Sequence, residues 1–472
     1  MYNPKSTKAE EFISHEEILA TLKYADENKN NVALIDEILK KARQEKGLTH
    51  REVLVLLDCE IPEKNEEIFE LAKKIKEDFY GKRIVLFAPL YLSNYCVNGC
   101  VYCPYHYSNK HIARKKLTQE EIEKEVIALQ DMGHKRLAIE AGEDPVNNPI
   151  EYILESINTI YSIKHKNGAV RRVNVNIAAT SVENYKKLHD AGIGTYVLFQ
   201  ETYNKESYEK LHPTGPKHNY AYHTEAMDRA MQAGIDDVSL GVLFGLDLYR
   251  YELAGLLMHA EHLEATYGVG PHAISVPRIK KADGINPDDF DNGIDDDIFA
   301  KIVACIRIAV PYTGMIISTR ESAECRKRLL ELGVSQISGG SKTSVGGYFN
   351  PMPEDEDSAQ FDVSDRRPLD EVIKWLIELG YLPSFCTACY RKGRTGDDFM
   401  KICKEQQIHN FCQPNALMTL QEYLEDYASE ETRKLGSELI SAEVDKIANS
   451  EIGAKAKSNI DKIKNGERDF SF

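Results

Sequence analysis

The sequence predicts an α/β protein built on a (β/α)8 barrel of the TIM type, with a helical segment before the barrel and a mostly helical extension after it. Two observations carry this. Short β-rich runs alternate eight times with amphipathic helical stretches over about 260 residues, the length such a barrel needs. A cysteine-bearing loop follows the first run directly, on the face where barrels of this type place their sites.

Residues 1–80 read as helical, with apolar residues at helical spacing: Ile18, Leu19 and Leu22, then Leu34, Ile38 and Leu39. The expected strands are Ile84–Leu90, Leu137–Ala141, Val173–Ala178, Thr195–Gln200, Val238–Phe244, His272–Val276, Met315–Thr319 and Ser335–Ser338. Among the intervening helices, Glu120–Met132 opens on a capping box, Thr118-Gln119-Glu120-Glu121. Another is expected to start at Asp144-Pro145, an N-cap followed by a first-turn proline. These units place the barrel at 81–344; an open doubly wound sheet is the competing arrangement. Residues 345–368, acidic and proline-containing, read as a linker or surface loop, and 369–472 as the helical extension. No repeat of 20–50 residues and no low-complexity tract interrupts this order.

The chain has 59 basic and 75 acidic residues, a net charge of −16, with no basic block to offset it. That excludes nucleic acid and anionic membrane as the main partners. The N-terminus lacks the apolar core of a signal peptide and no apolar run is long enough to span a membrane, so a cytoplasmic location is expected. In that compartment ten cysteines are not a disulfide framework. Six fall in two groups, and the scattered Cys59, Cys305, Cys325 and Cys403 read as buried thiols.

The first group is Cys96-Val97-Asn98-Gly99-Cys100-Val101-Tyr102-Cys103, just after the first strand. Three thiolates can bind three corners of a 4Fe–4S cubane and leave one iron open to a chelating ligand. Zinc is the bland alternative, with His106 or His111 as fourth ligand, although neither has zinc-finger spacing. The second group, Cys386-Thr387-Ala388-Cys389 and then Cys412, again supplies three cysteines; zinc with His409 is its rival.

Three other segments can carry chemistry. In Ala141-Gly142-Glu143, at the end of the second strand, Gly142 lets backbone approach a ligand and Glu143 can accept from an ammonium group. Arg320, at the end of the seventh strand, can clamp a carboxylate with two N–H groups, unless it pairs with Glu321 or caps a helix. Ser338-Gly339-Gly340-Ser341-Lys342-Thr343 lacks the residue order of a phosphate loop and is a mouth loop or a tight turn. His212 and His272 are weak candidates from pattern alone.

CxxxCxxC after the first strand of a βα repeat resembles the radical S-adenosylmethionine superfamily. That resemblance implies that the methionine amine and carboxylate of S-adenosylmethionine chelate the open iron at Cys96, Cys100 and Cys103. Reductive cleavage then gives a 5′-deoxyadenosyl radical, and Gly142 and Glu143 fall where the superfamily binds the cofactor.

Within it, the chain resembles the HydG family of FeFe-hydrogenase maturases, tyrosine lyases related to 2-iminoacetate synthase. The likeness rests on Asn94 to Cys100, Glu140 to Pro145, Arg172 to Ala179, Tyr196 to Tyr203, the His272 and Arg320 stretches, Cys386 to Tyr390, and His409 to Cys412. CxxC, twenty-two residues, then Cys separates it from 2-iminoacetate synthase. The resemblance implies cleavage of the tyrosine Cα–Cβ bond to p-cresol and dehydroglycine, with Arg320 on the tyrosine carboxylate. It implies that dehydroglycine yields carbon monoxide and cyanide at a second 4Fe–4S cluster on Cys386, Cys389 and Cys412. There an extra iron, held through His272 and a free cysteine-type ligand, would collect them. Other hydrogenase maturation proteins would be partners. A tyrosine lyase for another pathway and a non-catalytic iron–sulfur scaffold remain the alternatives.

Overall fold

Eleven strands form among the described residues. In order they are β1 (Arg83–Ser93), β2 (Arg136–Ala141), the two-residue β3 (Lys164–His165) and β4 (Gly168–Ala169), β5 (Arg172–Asn176), β6 (Tyr196–Val197), β7 (Val238–Gly241), β8 (Ala273–Ser275), β9 (Gly314–Ile317), β10 (Gln336–Ser338) and β11 (Leu382–Ser384). The computed structural model describes residues 1–350, 358–405, 408–447 and 450–472, so part of the expected linker (351–357) and the side chain of His409 lie outside the described residues.

All eight expected strands are present, and the sheet closes. Neighbours run β1-β2-β5-β6-β7-β8-β9-β10, and β10 returns to β1 with Gln336–Ser338 beside Val85–Phe87, every pair parallel. This excludes the open sheet. Along β1, Ile84, Leu86, Ala88 and Leu90 are at most 1% exposed and pack into the core, while Phe87, Pro89 and Tyr91 line a cavity inside the barrel.

The C-terminal extension is mostly helical, as expected, and also carries β11, which adds to the sheet by pairing Leu382–Ser384 with Arg83–Val85. Because Val85 also pairs Gln336, β11 lies on the other edge of β1, below the point where β2 begins at Ala88. Contrary to expectation, no helix starts at Asp144. Its carboxylate accepts from Val146 N (2.9 Å) and Asn147 N (2.8 Å) and closes a turn, and the helix runs from Ile150 to Ser162. Pro149 keeps Asn148 out of helical geometry, so a helix from Asp144 could not continue. The capping box at Thr118 and Glu121 is formed, on a helix over Gln119–Asp131.

Before the barrel lie helices Ala9–Phe12, His15–Asn28, Val32–Ala42, His50–Asp58 and Pro62–Tyr80. They pack over the barrel helices Tyr249–Tyr267 and Asp296–Ala309; Ile18 is buried there, whereas Leu19, expected on the same face, points to solvent. No described helix is long and apolar enough to cross a membrane.

A buried ion network fastens the C-terminal helix Ile408–Asp426 to the base of β2. Lys135 donates to Glu422, both essentially without exposure, and Arg171 lies 3.3 Å from the same carboxylate. Asp469 N donates to its other oxygen at 2.6 Å. Removing one partner of such a pair leaves an uncompensated buried charge. Glu422→Gln is therefore expected to lower stability by about 3–5 kcal/mol, and Lys135→Met combined with Glu422→Leu to recover most of it. Urea unfolding of the three proteins checks this; equal midpoints for Glu422→Gln and the parent would refute it.

Candidate functional site

At the C-terminal end of the barrel, β1 runs straight into the cysteine loop. Arg114 shapes that loop from below: its Nη1 donates to the carbonyls of Asn94 (2.6 Å) and Tyr105 (2.8 Å), its Nη2 to those of His106 (2.7 Å) and Asn109 (3.2 Å). From the other side, Gly99 N donates to Thr214 O (3.0 Å) and Val101 N to Leu211 O (3.0 Å). Gly142 is where the loop meets the end of β2. A Cβ there would stand 2.3 Å from Tyr95 O and 3.0 Å from Cys96 Cβ, so a side chain is not accommodated. Val97 N donates to Glu143 O at 2.8 Å, and Asn98 Nδ2 donates to the Glu143 carboxylate at 2.6 Å. Burial raises the Glu143 carboxyl, and Asn98 partly offsets the rise.

A charged pair absent from the sequence reading sits beside these thiols. Lys217 donates to Glu201 at 2.8 Å, and its backbone N–H to Asn98 Oδ1 at 3.0 Å. Glu201 has φ +69, a left-handed conformation that costs a non-glycine residue on the order of 1–3 kcal/mol and that clusters at functional sites. His212 supports rather than binds: Nδ1 donates to Tyr208 O (2.7 Å), so Nε2 accepts from Tyr102 OH (2.7 Å), and burial pushes its pKa down to about 2. His106 is bonded to Ser108.

Behind the cysteine loop a cavity of about 150 Å³ opens into a second of about 100 Å³ inside the barrel. Tyr91, Glu140, Asn176, Phe199, Arg320 and Gln360 line both. The guanidinium of Arg320 lies 3.6 Å over the Phe361 ring. Glu321 does not pair with it, since Arg278 and Lys280 (3.2 Å) hold that carboxylate. The buried Thr319 Oγ1, in the inner cavity, has no protein partner.

The second cysteine group lies at the opposite end of the barrel. A cavity of about 60 Å³ there is bounded by Cys386, Cys389, Cys412 and His272, with Arg83, Arg136 and Arg172 from the first residues of β1, β2 and β5. Cys386 follows β11, Cys389 lies on the short helix Ala388–Arg391, and Cys412 on Ile408–Asp426. Arg136 Nη2 donates to Cys386 O at 2.9 Å. A hydrogen bond from Cys412 and the nearby Arg394 pull the Cys389 thiol down to about 6. His272 precedes β8, with Nδ1 3.2 Å from Asp237, a carboxylate that also pairs Arg172 (3.2 Å) and accepts from Gly396 N (3.1 Å). In that geometry Nδ1 makes no hydrogen bond to the carboxylate, and the ring borders the cavity that the three cysteines line. The other four cysteines are buried, as expected.

The cysteine spacing tests which metal group each trio suits. Among the described residues, neither trio brings all three sulfurs within 4.8 Å of one another. Thiolates on one zinc sit about 3.8 Å apart, given Zn–S bonds of about 2.3 Å. That spread suits the separate iron corners of a cluster at the first trio, while in the second Cys389 and Cys412 are in hydrogen-bond contact. Burial pushes the Cys103 thiol up to about 12 and raises Cys96 and Cys100 too, so these thiols ionise only with strong cationic help, which a metal group supplies. Arg114→Leu should loosen the loop and weaken metal retention at the first site roughly 10–100-fold, the range for outer support groups, while sparing the second. Iron release to a chelator, followed by cluster spectroscopy, measures this; parent-like release from both sites would refute it.

The sequence between residues 90 and 252 matches the Radical SAM superfamily, and residues 275–382 match the Biotin and Thiamin Synthesis associated domain. The chain is similar to 2-iminoacetate synthase of Salmonella typhimurium, 28% identical over 347 residues that span 73% of this chain and 89% of that one. It is similar to a crystal structure of HydG, a maturase of the FeFe-hydrogenase, with TM-score 0.94 and 55% identity over 98% of this chain and 100% of that one. HydG from Carboxydothermus hydrogenoformans superposes with TM-score 0.83 and 39% identity, covering 96% and 99% of the two chains. Closed barrel, cysteine loop and full-length likeness place this chain in the HydG family of FeFe-hydrogenase maturases, within the radical SAM superfamily.

Proposed function

We propose that this chain cleaves the Cα–Cβ bond of L-tyrosine to p-cresol and dehydroglycine, and turns the latter into carbon monoxide and cyanide for the FeFe-hydrogenase active site. The observation that carries this reading is the pair of cysteine trios at opposite ends of one barrel, with cavities in line between them. A single-site lyase has no use for the second trio, and a passive scaffold has none for the walled cavity.

In this reading residues 81–344 form the radical barrel and 369–472 the auxiliary part. Cys96, Cys100 and Cys103 hold one iron–sulfur cluster, and Cys386, Cys389 and Cys412 hold another, with His272 as ligand to an extra iron. When bound, these clusters and S-adenosylmethionine supply the initiating radical and the Lewis acidity for breaking down dehydroglycine. The protein does the rest. Gly142 lets the backbone close on the cofactor, and Glu143, fixed by Asn98, receives its ammonium group. Arg320, free of Glu321 and set on Phe361, clamps the tyrosine carboxylate. Phe87, Pro89, Val197, Phe199 and Ile316 offer an apolar sleeve for the aryl ring.

At its lower end the inner cavity meets the second site at Gln336, which lines both and accepts from Arg136 at 3.3 Å. Small products would pass this partition without crossing bulk solvent. Other hydrogenase maturation proteins would receive what is assembled.

Anaerobically reconstituted protein with reductant, S-adenosylmethionine and tyrosine should yield 5′-deoxyadenosine, p-cresol, carbon monoxide and cyanide. Absence of deoxyadenosine would remove the radical assignment, and cresol without diatomics would favour a plain lyase. Cys386→Ser with Cys389→Ser should keep cresol and lose carbon monoxide; unchanged carbon monoxide would take the second cluster out of the mechanism.

A further inference from the structure

We propose that Glu140 is a catalytic residue of this reaction: it receives the α-ammonium group of the substrate opposite Arg320 and takes up one of its protons. The inference deepens the tyrosine reading and rests on it. Glu140 stands near the end of β2, on the wall shared by the two upper cavities. Every charged or titratable group facing it comes from another element: Arg320 after β9, Tyr91 on β1 and Tyr105 in the cysteine loop. Asn176 on β5 donates a hydrogen bond to it. Among the described residues Glu140 forms no ion pair, and Tyr91 OH is turned to Gln360 at 2.8 Å. Among the described residues no carboxylate is bonded to Arg320 either. A buried carboxyl and a buried guanidinium that feel each other's charge but form no direct ion pair, on the walls of the same cavities, are costly arrangements unless a ligand completes both. The head of an α-amino acid does so, its carboxylate on Arg320 and its ammonium on Glu140.

The chemistry requires a proton acceptor there. Going from the ammonium to the neutral imine of dehydroglycine removes two of nitrogen's three hydrogens: one leaves as an atom to the initiating radical and the other as a proton, which needs an acceptor. When Glu140 takes the proton, the N–H pair stays on nitrogen as a lone pair, an O–H bond forms on the carboxyl, and no charge leaves the cavity. Burial raises the Glu140 carboxyl to about 8, against the pull of Arg320 and Asn176. At neutral pH the empty site therefore holds a proton on Glu140, and a zwitterionic substrate brings its own ammonium. The reactive pair keeps one of these protons between carboxyl and nitrogen, so binding releases the other.

Two measurements on the cluster-loaded protein test this. Calorimetry of tyrosine binding at pH 7, in buffers of different ionisation enthalpy, should show about one proton released by the parent and none by Glu140→Gln. In turnover, kcat/KM for p-cresol should rise with pH through about 8 in the parent. In Glu140→Gln it should be lower by roughly 100-fold near neutrality and recover only as the free amine becomes available. Glu140→Asp, which keeps a carboxyl, should retain the proton release. Glu140→Gln with the parent's proton release and pH profile would overturn the inference while leaving the lyase reading intact. A parent that neither binds tyrosine nor forms p-cresol would overturn the lyase reading itself.

Discussion

The length of β1 sets the whole arrangement. Its eleven residues span about 33 Å, and with the strand tilt of such barrels the rise along the axis is about 27 Å. The upper half pairs β2 and delivers the cysteine loop; the lower half pairs β11, which delivers Cys386. Closure against β10 runs through the middle, at Val85 to Phe87. One strand thus fixes the barrel and the separation of its two cysteine sites. A shift of β11 by one residue would turn Leu382 and Ser384 to the other face of the sheet and move the second trio off the floor of the barrel.

The two ends are electrostatically different, and the difference follows from what each must hold. At the upper end Lys217 is already paired with Glu201, and Arg320 and Glu140 are left for a ligand. At the lower end the first residues of β1, β2 and β5 are all arginine, with Arg394 beside Cys389 and Asp237 as the main counter-charge. Burial, with Arg172 close by, even draws Arg136 down to about 9. Positive charge packed around the three thiols works against the burial that raises Cys386 and Cys412, and favours any anionic ligand of a metal they carry. Asp237 keeps this from being purely repulsive, since it binds Arg172 and steers His272 together.

What the sequence disclosed follows range. The eight strands and the Thr118 capping box are local patterns, and the CxxxCxxC loop needs only its own spacing. The β11 strand escaped because three residues, one of them Pro383, carry no period and sit in helical surroundings. Asp144-Pro145 misled because the local N-cap pattern was read without the second proline, Pro149, that breaks the run. Arg114, Lys217 and Asp237 were invisible for a different reason: their partners lie on other elements, and charge pairing across a barrel leaves no mark in spacing. The placement of His272 and Arg320 at opposite ends was legible in outline, as each borders a strand on a predictable side.

Glu140 shows where local reading stops and physics takes over. It was visible only as the first residue of the stretch Glu140 to Pro145, with no role attached to it. Its place in the fold shows what it faces. Strand alternation puts it on the cavity side along with Asn174 and Asn176 of β5, while Leu137 and Ile139 face the helices and are fully buried. A hydrophobic residue there would pack the barrel more securely than a carboxyl that must hold its proton to stay buried. An enzyme keeps such a group where charge changes during turnover, and the nitrogen of an amino acid losing its side chain is such a place.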